Sequence, residues 1–341
     1  MAATSASSGG SRSQRMTTPP PVLLLAAVMV FVVVLVFSEG RVQVGYLRYI
    51  SVFTRSSASC PRPAHPSMYH LSNDPRPPPA LVSYPGSGST LTRLLLEMTT
   101  QVYTGSVYGD LSLYNNSGHP FLGEFNTTNV SVVKTHFPVG PTHEAAFAYP
   151  AARRAVILLR DPRNAIPSNL NYIFGDSIWA KHSVQAPAEA WEEWRDANLH
   201  AELLWWKNII AIWTERLETA EHLHVVLYED LAESRASGVE VLRSLIQFLD
   251  LDGDITDDAI SCAWDQILDR NAHGNGIRRS KTYVPAYTAA QHSLIKFELE
   301  LLSEYVGNNV KHDSPLANAV RRYAAEIIPA NEIAAEREAP S

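Results

Sequence analysis

The sequence predicts an α/β fold in which a P-loop-like parallel sheet is flanked by helices. Three observations predict it. From Ala80 onward, short apolar runs alternate with helical patterns, as strands joined by crossover helices do. Those runs are almost wholly apolar rather than alternating, so both faces of the sheet should be covered. The first run ends in Ser83-Tyr-Pro-Gly-Ser-Gly-Ser-Thr90 ahead of Leu94, Leu95 and Leu96, which reads as a strand, a tight glycine turn and a helix start.

The elements follow in chain order. Residues 1–15 are rich in Ser, Gly and Ala and read as a disordered tail. Met16 to Ser38 carries no charge, and Val22 to Phe37 is continuously apolar, enough with its flanks for a transmembrane signal-anchor. A cleaved signal peptide and secretion is the alternative, since Arg12 and Arg15 precede the run and Val36-Phe37-Ser38 offers a cleavage position. Arg41, Arg48 and Arg55 follow it, so basic residues do not set the orientation. Sequons at Asn115, Asn126 and Asn129 support the expectation of a lumenal downstream portion and a cytoplasmic tail. Residues 39–79 form a stem that ends in Pro75-Arg-Pro-Pro-Pro79. Residues 80–312 form the folded domain, and 313–341 a C-terminal helix or tail.

Within the domain, strands are expected at Ala80–Tyr84, Val130–Lys134, Ala155–Leu159 and Leu223–Tyr228. Helices are expected at Thr90–Tyr103, over Ala186–Ala220 as one long helix or two, and at Gly238–Leu249. Trp191, Trp194, Trp205, Trp206 and Trp213 in the long helical stretch are expected to pack the core rather than form a sugar-stacking platform.

An apolar content of 45% over 341 residues is ample for a core. The net charge of −7 argues against a nucleic-acid-binding protein, and an anionic ligand would need a local basic cluster. Two cysteines, Cys60 and Cys262, allow no metal cluster and no disulfide framework. A bridge between them, an intermolecular bridge at Cys60, or two unpaired thiols all stay open. Nothing in the sequence reads the oligomeric state.

In open α/β sheets ligands bind beyond the carboxyl ends of the strands. There this chain carries chemistry four times. After the first strand, Gly86, Ser87, Gly88, Ser89 and Thr90 aim backbone N–H groups and hydroxyls at an anion. No Gly-Lys-Ser/Thr follows, so this is not a Walker A loop. After the second come Lys134 and His136, two apart and therefore on one side of the strand. After the third comes Arg160-Asp-Pro-Arg163, with Ser168 eight residues past Arg160. After the fourth comes Tyr228-Glu-Asp-Leu231. Glu229 and Asp230 read as helix-start carboxylates rather than catalytic acids. A P-loop kinase-like enzyme is a rival reading, but it lacks the Walker lysine and an obvious magnesium-binding carboxylate. A catalytically inactive binding protein is another.

Taken in order, these motifs resemble the sulfotransferases that use 3'-phosphoadenosine 5'-phosphosulfate, over about residues 80 to 310. The resemblance implies the sulfotransferase fold for 80–312, that sulfate donor as co-substrate, and no metal. It implies that the glycine turn holds the donor's 5' side, that Arg160 and Ser168 grip its 3'-phosphate, and that Tyr228 lies beside the adenine. Lys-Thr-His-x-Pro matches the catalytic strand end, with His136 as base and Lys134 stabilising charge. Asn275-Gly-Ile-Arg278-Arg279-Ser-Lys281 is similar to the family's basic loop over the 3'-phosphate, which gives Arg278, Arg279 and Lys281 as donor contacts. Ser-Tyr-Pro-Gly-Ser-Gly and Leu-Arg-Asp-Pro-Arg look most like the membrane-anchored branch that carries WSC domains and is linked to sulfation of sialic acid. The cysteine-rich WSC modules do not occur in this sequence. That branch implies a type II Golgi membrane glycoprotein acting on a glycan or glycoconjugate. Two positions depart from the soluble members: Gly86 stands where they place Lys, and Leu91 where they place Trp. Arg93, one helical turn on, is expected to face the donor in place of that Lys.

Overall fold

The structure is a computed structural model. It describes residues 65–327 except 116–118, 139–148, 175–184, 218–221, 252, 254, 269–283 and 310–313. The tail 1–15, the apolar run 16–38, most of the stem and the basic loop with Arg278, Arg279 and Lys281 lie outside the described residues. Among the described residues no helix is long and apolar enough to cross a membrane.

Five parallel strands form the sheet: β1 (Ala80–Val82), β2 (Gly105–Ser106), β3 (Val133–Thr135), β4 (Ala155–Leu159) and β5 (Leu223–Leu227). Their spatial order is β2-β3-β1-β4-β5. Leu81 pairs with Lys134 on one side and Val156 on the other, so β1 is the hinge of the topology. The chain leaves β1 in one direction to β2 and β3, then crosses to β4 and β5. In open α/β sheets such a reversal is where a ligand crevice forms, here at the carboxyl ends of β1, β3 and β4.

The helices are α1 (Ser89–Thr100), the single turn α2 (Leu111–Tyr114), α3 (Pro162–Phe174), α4 (Ala188–Arg216), α5 (Tyr228–Glu233), α6 (Arg235–Phe248), α7 (Asp257–Leu268), α8 (Ala289–Asn309) and α9 (Pro315–Ala325). Alternate strand residues face opposite layers. Ala80, Val82, Val133, Ile157 and Leu159 join the core with Trp191, Trp206 and Trp213 of α4 and with α8 and α9. Leu81, Val132, Val156 and Leu158 join the core with α1, α6 and α7. Both faces of β1 and β4 are buried, as the unbroken apolar runs require, whereas the edge strand β5 is half-buried. The long helical stretch is one helix of 29 residues.

Three differences from the sequence expectations have plain causes. β2 was not expected, because two residues including a glycine carry no apolar run. β3 begins three residues later than Val130, because Val130 to Val132 approach the sheet through a bend. The end of the stem belongs to the folded unit from Tyr69 onward. Tyr69 is buried, Ser72 N–H donates to Asn129 O at 2.7 Å, and Pro79 O accepts from Val133 N–H at 3.0 Å. Arg76 bridges Asp74 and Asp250, and Arg154 also meets Asp250. Prolines lack the N–H of a sheet interior, but their carbonyls still accept. Cys262 on α7 is buried and disulfide-bonded; Cys60 lies outside the described residues.

Candidate active site

The glycine turn sits between β1 and α1. Gly86 and Gly88 both have positive φ, 81° and 97°. A Cβ on Gly86 would come within 2.7 Å of Ala165 O and 2.8 Å of Asn169 N, so the turn lies directly on α3. A side chain there is excluded unless the backbone of α3 shifts. A Cβ on Gly88 would meet the Tyr228 ring at 2.5 Å. Beneath the turn, Tyr84 donates to Glu202 of α4 and accepts from Asn169 Nδ2 at 3.1 Å. α1 begins with no side-chain cap, so its first N–H groups remain open toward the crevice. Ser87 Oγ is buried without a partner among the described residues.

Arg160 arrives at this turn from the end of β4. Its Nη1 donates to Gly86 O at 2.6 Å, and its guanidinium lies 4.3 Å above the Tyr228 ring. Its Nε is buried and unpartnered among the described residues. Ser168 is brought to the same place, since its Cβ stands 3.0 Å from where a Cβ of Gly86 would be. Arg160, Ser168, Tyr228 and the glycine turn therefore meet in one cradle. Buried polar atoms without partners are costly unless a ligand completes them. The open helix end, Ser87 Oγ and Arg160 Nε are donors, and they suit a phosphate-bearing nucleotide.

Lys134 and His136 stand at the end of β3. His136 Nδ1 donates to Ser83 O at 2.7 Å, which leaves the lone pair on Nε2. Burial, with the Lys134 charge beside it, pushes the imidazole down to about 3, so it is neutral at any working pH. Burial and the charge of Arg93 push Lys134 down to about 8, against the opposing pull of Glu124 and Asp110. Both side chains touch Tyr108, which no motif marks.

Arg93 requires a correction. It does not face the donor. It is fully buried behind Lys134, with Nη1 2.7 Å from Glu124 Oε2, Nε donating to Thr104 Oγ1 at 2.8 Å, and its Cζ 4.6 Å over Phe121. Thr104 and His119 bond Glu97, also fully buried. A lone buried guanidinium would be prohibitively costly, so a carboxylate partner was required, but sequence spacing did not reveal Glu124. Leu91, at the other departure, is buried in the core with α1.

The profile of the sulfotransferase domain family matches residues 77–273. The chain belongs to the sulfotransferase family. A WSCD family member from Aedes aegypti is 32% identical over 187 residues, 54% of this chain and 53% of the relative. One from Drosophila pseudoobscura pseudoobscura is 28% identical over 231 residues, 67% and 66% of the two chains. One from Drosophila melanogaster is 30% identical over 173 residues, 50% and 49%. The chain thus spans about half to two thirds of the length of these relatives. They support the WSC-associated branch of the sulfotransferases.

This member of the sulfotransferase family completes its cradle with parts beyond the matched span. Glu229 accepts from Asp161 N–H at 3.1 Å and from Tyr323 OH of α9 at 2.7 Å, and Arg322 pairs with Asp230. Glu229 and Asp230 are thereby clamps, fixing Tyr228 against Arg160. The tryptophans of α4 are core residues with a second use. Trp213 Nε1 donates to Phe137 O at 2.8 Å, Trp206 Nε1 to Arg160 O at 3.1 Å, and Trp205 Nε1 to Pro138 O. One helix thus anchors the carbonyls just past both β3 and β4. The spacing of tryptophans could show a helix face, but not which carbonyls it would meet.

Proposed function

We propose that the chain moves a sulfuryl group from 3'-phosphoadenosine 5'-phosphosulfate to a hydroxyl of a glycan or glycoconjugate, with sialic acid the first candidate. The observation that carries the reading is the cradle of Ser87, Arg160, Ser168 and Tyr228 beside a fixed Lys–His pair. Gly86 to Thr90 would hold the donor's 5' side, and Arg160 with Ser168 its 3'-phosphate. The donor supplies a sulfuryl group whose sulfur–oxygen bond to phosphate breaks as the bond to the acceptor oxygen forms. The protein's part is positioning and charge, as in phosphoryl transfer. His136 Nε2 takes the acceptor hydroxyl proton, because Nδ1–H is held by Ser83 O. Docking of an anion raises the basicity of that imidazole. Protonated Lys134 stabilises charge developing on the transferred group.

The reading extends to a type II Golgi membrane protein with a lumenal domain, anchored by 16–38. Its supports are the uncharged apolar run, the three sequons, and a disulfide at Cys262, which suits an oxidising compartment. Asn129 is exposed, as an occupied sequon must be. Protease protection of microsomes, with and without glycosidase, tests the placement; a cytosol-exposed domain sinks it.

The decisive experiment is calorimetry of 3'-phosphoadenosine 5'-phosphate against the chain of residues 1–341 in detergent, followed by labelled donor on a glycan panel. Binding and transfer support the reading. A folded chain that binds no nucleotide removes it. Gly86 favours one other reading, a donor-binding protein without turnover; binding with no transfer, and no donor hydrolysis, would select it.

A further inference from the structure

Tyr108 lies between β2 and α2, outside every motif. Its hydroxyl accepts the backbone N–H of His136 at 2.6 Å. Its ring stacks on the imidazole, with centroids 5.4 Å apart and planes at 27°. Lys134 Nζ stands 5.6 Å from the centroid of the same ring. The Thr135 side chain is hydrogen-bonded to the same hydroxyl, and Thr135 Oγ1 in turn accepts from Phe137 N–H at 3.1 Å.

Tyr108 is itself held from several sides. Its N–H donates to Ser106 Oγ at 3.1 Å, and Val107 N–H donates to Lys134 O at 3.1 Å. The next residue, Gly109, turns at φ 60° beneath the Phe125 ring, where a Cβ would collide at 2.9 Å. The ring therefore has little freedom to leave the Lys–His pair.

We propose that Tyr108 is a positioning residue for sulfuryl transfer, its ring and hydroxyl together fixing Lys134 and His136 relative to each other and to the acceptor. The inference rests on the sulfotransferase reading for its consequence, but not for its geometry. An aromatic face attracts an ammonium and excludes water from it. A hydroxyl on a strand-end amide fixes the backbone that carries the imidazole. The groups facing Lys134 are Arg93 from α1, Glu124 and Asp110 from the loops, and His136 from its own strand. His136 faces Lys134 and Ser83 O. Tyr108 adds a ring that lies against both members of the pair. Its own hydroxyl is pushed up to about 12 by burial and stays protonated.

The test compares Tyr108→Phe and Tyr108→Ala with wild type in the full chain. Tyr108→Phe keeps the ring and loses the hydroxyl; Tyr108→Ala loses both. Labelled 3'-phosphoadenosine 5'-phosphosulfate gives kcat and KM, and calorimetry gives affinity for 3'-phosphoadenosine 5'-phosphate. An activity-independent reading comes from titrating 13C-methylated Lys134 by NMR, assigned with Lys134→Arg. Expected are kcat losses of about tenfold for Phe and about a hundredfold for Ala, the size of a small misplacement of reacting groups. Nucleotide affinity and thermal midpoint should stay near wild type in Tyr108→Phe. The Lys134 titration should move up in Tyr108→Ala as water reaches the ammonium. An unchanged Lys134 titration in Tyr108→Ala, or unchanged kcat in a working enzyme, overturns the proposal and leaves the function standing. If wild type neither binds nucleotide nor turns over, the sulfotransferase reading falls and the titration alone decides Tyr108. If Tyr108→Ala does not fold, kcat in Tyr108→Phe decides it, an unchanged value overturning the proposal.

Discussion

At the glycine turn, Ser87 Oγ and Arg160 Nε are buried without partners among the described residues, while Arg160 spends one nitrogen on Gly86 O. At the end of β3 the reverse holds: His136 is gripped through its backbone by Tyr108, through Nδ1 by Ser83 O and through its ring by stacking. The difference fits the two tasks proposed for them. A cradle for an anion must keep donors uncommitted, at a cost in stability that the ligand removes. A base must have one tautomer and one direction, so its other atoms are committed in advance. Arg93 and Arg160 repeat the contrast. The first is fully buried on Glu124 and serves the fold, whereas the second keeps buried donor capacity for the proposed ligand.

The comparison can be broken in a definite order. His136→Asn should lower kcat by roughly 10²- to 10⁴-fold with nucleotide affinity intact, as loss of a general base does; stopped assays with labelled donor read it. Loss of nucleotide affinity instead would merge the two halves of the site. Arg93→Met should cost stability, about 3–5 kcal/mol by denaturant unfolding, because the buried Glu124 loses its ion-pair partner. The same variant should bind 3'-phosphoadenosine 5'-phosphate normally while folded. Arg160→Ala should do the opposite, losing about a hundredfold in nucleotide affinity through its charge-assisted bonds and little in thermal midpoint. Ser87→Ala should lose roughly tenfold in affinity, one hydrogen bond's worth, without loss of stability. A stability loss there would show that the hydroxyl already has a partner.

The pH profile sharpens the same contrast. Lys134, at about 8, must be protonated to act, and His136, at about 3, must be neutral. kcat/KM should therefore be level from about pH 5 to 7 and fall above about pH 8, with no acid limb from His136. Lys134→Arg should carry the alkaline limb beyond the measured range. A limb that stays in place assigns it to another group.

Much of this was legible in the chain because it depends on local chemistry. Four of the five strands were readable as apolar runs, and β4 coincides with the expected Ala155–Leu159. The glycine turn, Lys134 with His136, and Arg160 with Ser168 could be read because strand ends and short spacings fix them locally. α7 and α8 carried no motif and were not placed; α9 falls within the expected C-terminal helix or tail, but its clamp on the Tyr-Glu-Asp-Leu segment carried no sequence signal. Arg93 was misread because proximity along a helix says which turn a side chain is on, not which face is covered. Tyr108 and Glu124 were missed because their importance lies wholly in long-range contacts.

The sequence by itself determined the fold class, the family, and the order in which the chain presents a glycine turn, a Lys–His pair, an arginine and a tyrosine. Apolar periodicity and short motifs act over a few residues, so they survive in one dimension. The tertiary structure decided which of two arginines is spent on a buried carboxylate, that Gly86 is pressed on α3, that tryptophan N–H groups hold the strand-end carbonyls, and that one tyrosine bridges the Lys–His pair. Those outcomes turn on which polar atoms find partners across distant segments. That pairing is settled only when the layers close and water is excluded.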